Sequence, residues 1–217
     1  MSLDRWGARC QLLAGPLFLA ANLAAARAWH RPPYSWAVHN ISDLGNVTCG
    51  RWDTGRPREV CSPWHPLFNG GAVAAGVLLA LGVLLTWSAL GRGPVVRAAQ
   101  CATLAAAAGY VLVGVHPADV DENAHVLGAV LIFIPGNLGI LVAVLARRAT
   151  VLGSARRLSL VLGLAGVVGT LLFLTRVDLG FGVGGMERVA VFPLLVWQAA
   201  LALLLQPGGA GPAARGG

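Results

Sequence analysis

Lysine is absent from this sequence: all 16 of its basic residues are arginine, and charged residues make up only 12% of a chain that is 56% hydrophobic. Soluble domains carry about 25% charged residues, so a water-exposed globular surface is excluded. Four cysteines in 217 residues are too few for a disulfide-dense secreted scaffold. No internal repeat is visible and no charge falls deep inside an apolar run, which argues against an ion-coupled transporter. The formal net charge of +7 would suit nucleic acid in a soluble protein. Here the arginines stand beside apolar runs, where they read as topology signals, and no nucleic-acid partner is expected.

What the chain does have is length in its apolar runs. Six of them, at about 9–28, 67–90, 96–115, 124–146, 157–175 and 187–206, can cross roughly 30 Å of hydrocarbon at 1.5 Å per residue. The first run has no clear small-x-small cleavage site and leads into further spans, so it reads as a retained helix. The expected fold is therefore all-α: one polytopic bundle of six transmembrane helices over residues 1–206, with a long cap loop at 29–66 and a disordered tail at 207–217. The short connections "GRGPVVR" and "ARRATVLGSARR" carry six arginines and no acid, which places both termini in the cytoplasm and the cap outside a cell membrane. All five histidines and every acid except Asp4 then fall on or near the outer side.

The cap is rich in Trp, Pro and His, and its prolines at 32, 33, 57, 63 and 66 discourage long helix. Cys49 and Cys61 lie within it, twelve positions apart, and an oxidising compartment favours their pairing as a disulfide. Two unpaired thiols are the plainer alternative. Cys10 and Cys101 lie in helices near the inner side and read as buried free thiols.

Five motifs in order, "YSWAVHNISDLG", "CSPWHPLFNGG", "HPADVDENAHVLGA", "PGNLG" and "GGMERVAVFPLLVW", span nearly the whole chain. Together they resemble the bacterial membrane family called domain of unknown function 998. The resemblance implies a six-helix integral membrane protein whose polar motif residues line the outer side, and it brings no established reaction.

Asp43, His65, His116, His125 and Glu187 come from separated segments that should converge at one membrane level, and polar groups near lipid are costly unless partnered or functional. They form the candidate catalytic set. Asp43, His65, His116 and His125 are the candidate ligands for zinc or another divalent transition metal, which would activate water for attack on a lipid or amphipathic substrate. Glu187 or Asp119 would act as general base. Ser42, Asn69, Asp119, Asn137, Arg176 and Arg188 complete the polar pocket. Each has a structural alternative: Asp43 as a turn residue, Asp119, Asp121 and Glu122 as caps of helix four, Glu187 paired with Arg176 across the interface. A binder or carrier of an amphipathic ligand, and an accessory protein whose polar network locks cap to bundle, remain the two alternatives to an enzyme.

Overall fold

The computed structural model describes residues 2–206; the tail expected at 207–217 lies outside them. Six helices in this range are long and apolar enough to cross a membrane: α1 (Leu3–Ala28), α2 (His65–Leu85), α3 (Pro94–Val115), α4 (Glu122–Ala143), α5 (Arg156–Thr175) and α6 (Val183–Leu204). Each packs on its neighbours in sequence, and α6 returns against α1 to close the ring. The first residues of α1 meet the end of α6 in a pocket lined by Arg5, Arg9, Leu205 and Gln206, at the end of the bundle away from the cap.

Residue size sorts the inside from the outside. Ala14, Ala21, Ala25, Ala72, Ala75, Ala99, Ala106 and Ala107 are buried, while Leu13, Leu81, Leu84, Leu160, Leu164 and Leu171 are exposed on the bundle's surface. Lipid solvates leucine as well as a protein core does, so close backbone approach between small residues is what holds such helices together. At the α3–α4 crossing, a Cβ on Gly128 would lie 2.9 Å from the Gly109 carbonyl oxygen. Pro135 lacks the N–H that an α-helix needs, and α4 passes it through a π-turn at Ile132–Gly136. One turn on, the amide of Asn137 donates to the carbonyls of Phe133 and Ala190 at 3.0 Å and to Thr170 Oγ1 at 3.3 Å. The amide nitrogen at this depth thereby finds acceptors on α4, α5 and α6, while Oδ1 is buried without a hydrogen-bond partner.

Two boundaries differ from the sequence reading in ways that matter. Helix α2 stops at Leu85, next to Thr86, whose hydroxyl donates to the Gly82 carbonyl and accepts from Gln11. Helix α6 begins at Val183, so Glu187 sits in its second turn and not at its start, and is buried.

The cap is built on a small antiparallel hairpin, β1 (Gly50–Trp52) and β2 (Arg58–Val60), in the register Gly50↔Val60, Arg51↔Glu59, Trp52↔Arg58. One step beyond Gly50 and Val60, Cys49 and Cys61 form the expected disulfide, with a Cα–Cα separation of 4.2 Å. The other two cysteines are free, but Cys101 is exposed and Cys10 only half-buried: both sit on helix faces turned partly outward.

Candidate functional site

A single turn of 3-10 helix, Ser42–Gly45, lays the cap against the bundle. Asp43 within it is fully buried. Arg58, brought back by the hairpin, grips it with two hydrogen bonds, Nε to Oδ2 at 2.6 Å and Nη2 to Oδ1 at 2.5 Å, and the Asn40 N–H adds a third at 2.8 Å. Arg58 reaches Asp53 as well, at 2.9 Å. Burial opposes the charge on Arg58, but the hydrogen bonds and charges of Asp43 and Asp53 outweigh it and hold the guanidinium above its ordinary pKa. Asp53 follows the same logic: burial resists ionisation, while the Arg58 hydrogen bond and the N–H groups of Arg56 and Gly55 keep its carboxyl below the usual range. His39 is buried beside this knot. Its Nδ1 accepts from the Ser35 N–H at 2.9 Å and its Nε2 donates to the Glu59 carbonyl at 3.0 Å, and burial lowers its pKa.

Four more contacts tie cap to bundle. Asp119, between α3 and α4, accepts from the N–H groups of Val47 and Thr48 at 2.9 and 2.7 Å and from the Thr48 hydroxyl at 2.7 Å. Burial raises its carboxyl pKa, but the Thr48 and Val47 hydrogen bonds pull harder and leave it below the ordinary value. Arg188 donates to the carbonyls of Trp36 and His39 and to the Tyr34 hydroxyl, with its guanidinium 4.8 Å from the Trp36 ring centre. Arg176 donates to the Gly55 carbonyl at 2.7 Å, and Asn69 to the Gly45 carbonyl at 2.9 Å. The backbone adds its own link where the Gly184 N–H meets the Ala37 carbonyl at 2.9 Å, an approach that a side chain at Gly184 would block.

Under the cap lie two adjoining hollows. The outer is a polar vestibule of about 410 Å³, walled by Arg51, Asp53, Arg58, Ser42, Glu122 and His125. The inner is a cavity of about 40 Å³ between the tops of the helices, walled by Phe18, Phe68, Tyr110 and Phe133 with Ser42, His125 and Glu187 as its polar groups. Ser42 and His125 line both. Glu187 is 6% exposed and spends one oxygen, Oε2, on the Ile41 N–H at 2.5 Å. His125 is held by its Nδ1, which donates to the His116 carbonyl at 2.8 Å, with the Val113 carbonyl also in reach of the ring. An imidazole that gives its Nδ1 proton to a carbonyl keeps, when neutral, a lone pair on Nε2.

Of the residues the sequence singles out, then, the fold brings Ser42, His125 and Glu187 to one cavity and directs the others elsewhere. Asp43 is taken up by Arg58. His116 lends its carbonyl to His125 while its ring, half-buried and 3.4 Å from Asp121, lines neither hollow. His65, the first residue of α2, is half-buried and lines neither hollow. Among the described residues no group of three or more His, Cys, Asp or Glu side chains is arranged to hold a metal ion, so the four expected ligands do not come together. The expected pair of Glu187 with Arg176 is not formed, because Arg176 is spent on Gly55 and Glu187 on Ile41. Of the three acids near α4, Asp121 caps the helix through the Ala124 N–H at 3.1 Å, whereas Asp119 binds the cap. Sequence reading missed Arg58 and His39. Arg58 was legible only as a topology charge, and the disulfide-closed hairpin that returns it to Asp43 was the signal that could have found it.

No curated protein and no solved structure matches this chain. A family model does, over residues 12–204, and its description is protein of unknown function (DUF998). With a match over nearly the whole described chain and six apolar helices beneath it, the protein is a multi-pass integral membrane protein that belongs to the DUF998 family.

Proposed function

We propose that the protein binds a small or amphipathic organic ligand at the junction of cap and bundle, on the outer face of the cell membrane. The observation that carries this reading is the sharing of Ser42 and His125 by a polar vestibule and an aromatic cavity. Binding sites are characteristically concave and mostly apolar, with a few placed polar groups. Asp43, Arg58, Asp119, Arg176, Arg188 and Asn69 are occupied in holding the cap, which leaves Ser42 and His125 to face a ligand.

The test is native mass spectrometry of protein purified in mild detergent, beside an Ala129→Leu variant that fills the inner cavity, whose wall includes Ala129. A co-purifying small molecule, lost in the variant at unchanged melting temperature, is the expected result. Absence of any adduct, together with no thermal shift from a panel of amphiphiles, would sink the reading.

A hydrolytic reading rests on one observation, the orientation of His125. A ring anchored through Nδ1, with a lone pair left on Nε2, in the wall of a cavity that also holds Ser42 and Glu187 is suited to general-base work. It predicts turnover of an ester or amide ligand that His125→Ala abolishes without altering ligand occupancy; occupancy without turnover in the wild type decides for the binder.

A further inference from the structure

The polar wall of the inner cavity is one-sided in its hydrogen bonding. Tyr110, which lines it, spends its hydroxyl proton on the Val191 carbonyl. His125 spends its Nδ1 proton on His116, leaving a lone pair on Nε2. Glu187 already acts as acceptor toward Ile41 through Oε2 and has Oε1 to spare. Apart from the Ser42 hydroxyl, which both donates and accepts, the cavity offers acceptors.

Charge points the same way. Glu187 is a carboxyl 94% withdrawn from solvent that forms no ion pair among the described residues. Its sequence neighbour Arg188 is turned to the carbonyls of Trp36, His39 and Gly184 and to Tyr34. A buried carboxyl without an ion-pair partner either keeps its proton or takes a cation as counter-charge, and a cation bound in the cavity would favour its ionised form. Around this carboxyl stand four aromatic rings: Phe18, whose ring centre is 5.9 Å from Phe68 and 5.3 Å from Tyr110, and Phe133. Ring faces attract a cation within about 6 Å. The vestibule wall does not oppose a cation, since Arg58 is paired with Asp43 and Asp53, and the wall carries Glu122 as well as Arg51.

Resting on the ligand-binding reading above, we propose that this cavity recognises an alkylammonium group, with Glu187 as counter-charge, His125 Nε2 as hydrogen-bond acceptor and the aromatic rings as the box around it. A volume of about 40 Å³ takes a group of a few heavy atoms and no alkyl chain, because a single water already requires about 10–15 Å³ on the same measure. The rest of the ligand therefore lies in the vestibule. An amine-bearing lipid headgroup and a free organic amine share this chemistry.

The test titrates the full-length protein in detergent with n-butylammonium, n-butanol and butyrate by calorimetry. In parallel, native mass spectrometry from nanodiscs scores retention of phosphatidylethanolamine against phosphatidylglycerol. The expected result is n-butylammonium binding at least tenfold tighter than n-butanol, with butyrate excluded; preferential retention of phosphatidylethanolamine assigns the source to lipid, and its absence beside tight n-butylammonium assigns it to a free amine. Glu187→Gln, whose side-chain carbonyl can still accept from Ile41, should erase the tenfold preference. Phe133→Leu, which removes a ring that makes no side-chain hydrogen bond, should weaken n-butylammonium several-fold and leave n-butanol within twofold. n-Butanol or butyrate binding as tightly as the amine, or a Glu187→Gln protein with the preference intact, overturns the ammonium assignment. If those neutral or anionic probes bind and Ala129→Leu excludes them, the ligand-binding reading survives that failure. If no probe binds in either arm, both readings fall.

Discussion

Asp43 and Glu187 are both carboxyls withdrawn from solvent where the cap meets the bundle, at 0% and 6% exposure, and they stand in opposite electrostatic situations. Asp43 is clasped by a bidentate arginine and a backbone N–H. Glu187 accepts one backbone N–H and faces a cavity. The knot around Asp43 is saturated, so its chemistry is exhausted in holding the cap's shape. The cavity beneath keeps an acid that forms no direct ion pair among the described residues. Polarity near lipid therefore signals fixation in the first region and recognition in the second, and the residue type alone does not distinguish them.

Mutations can break this comparison. The largest effect is expected from Arg58→Ala, which strands Asp43 as an uncompensated buried charge: a loss of about 3–5 kcal/mol, read as a steep fall in melting temperature with early proteolysis of the cap. A change under about 1 kcal/mol would mean that the pair is dispensable. Next comes Cys49→Ser with Cys61→Ser, which reopens the loop carrying Arg58 and should cost about 3 kcal/mol, checked by the same melting assay in the absence of reductant. The Asp119 clamp is more exposed, so Asp119→Asn should cost only about 1 kcal/mol.

Asp119 also gives the comparison a pH axis. Its carboxyl is held below the ordinary value by Thr48 and Val47 against the opposing effect of burial. A group depressed in the folded state stabilises above its unfolded pKa of about 3.9 and loses that contribution as pH falls through the lower folded value. The cap should loosen in that acid window, and hydrogen exchange at Val47 and Thr48 should show it; Asp119→Asn should remove that part of the acid sensitivity. The smallest loss is expected at Glu187→Gln, which should not lower the melting temperature, because a Gln carbonyl replaces the acceptor and no partner charge is stranded. Asp43→Asn beside it should be far more damaging, and equal losses would erase the distinction between the two acids.

The fold was legible in the sequence because hydrocarbon thickness imposes a length that six apolar runs satisfy, and each run became a helix. The disulfide was legible because its two cysteines flank a segment short enough to fold on itself. The site was legible in part. His125, Ser42 and Glu187 stood out as polar groups near lipid, and they do share a cavity. His65 and His116 stood out equally, yet their rings lie outside it, since a short hairpin brings backbones together without fixing which way a side chain turns. Arg58 was hidden for the converse reason: its partner Asp43 lies fifteen residues back, across the hairpin loop at 53–57, whose geometry no apolar period announces. The end of α2 and the start of α6 fall where local hydrogen bonds such as Gly184 N–H to Ala37 form, and composition does not record these.

Asn137 gives the bundle a mechanical centre. Its amide joins α4, at the point where Pro135 has already loosened the helix, to Thr170 on α5 and to the Ala190 carbonyl on α6, and Gly166 leaves it room that any larger residue would take. The knot therefore sets the spacing of α4 and α6 beside the inner cavity, whose wall includes Phe133, the residue whose carbonyl Asn137 holds, and Val191, the neighbour of Ala190.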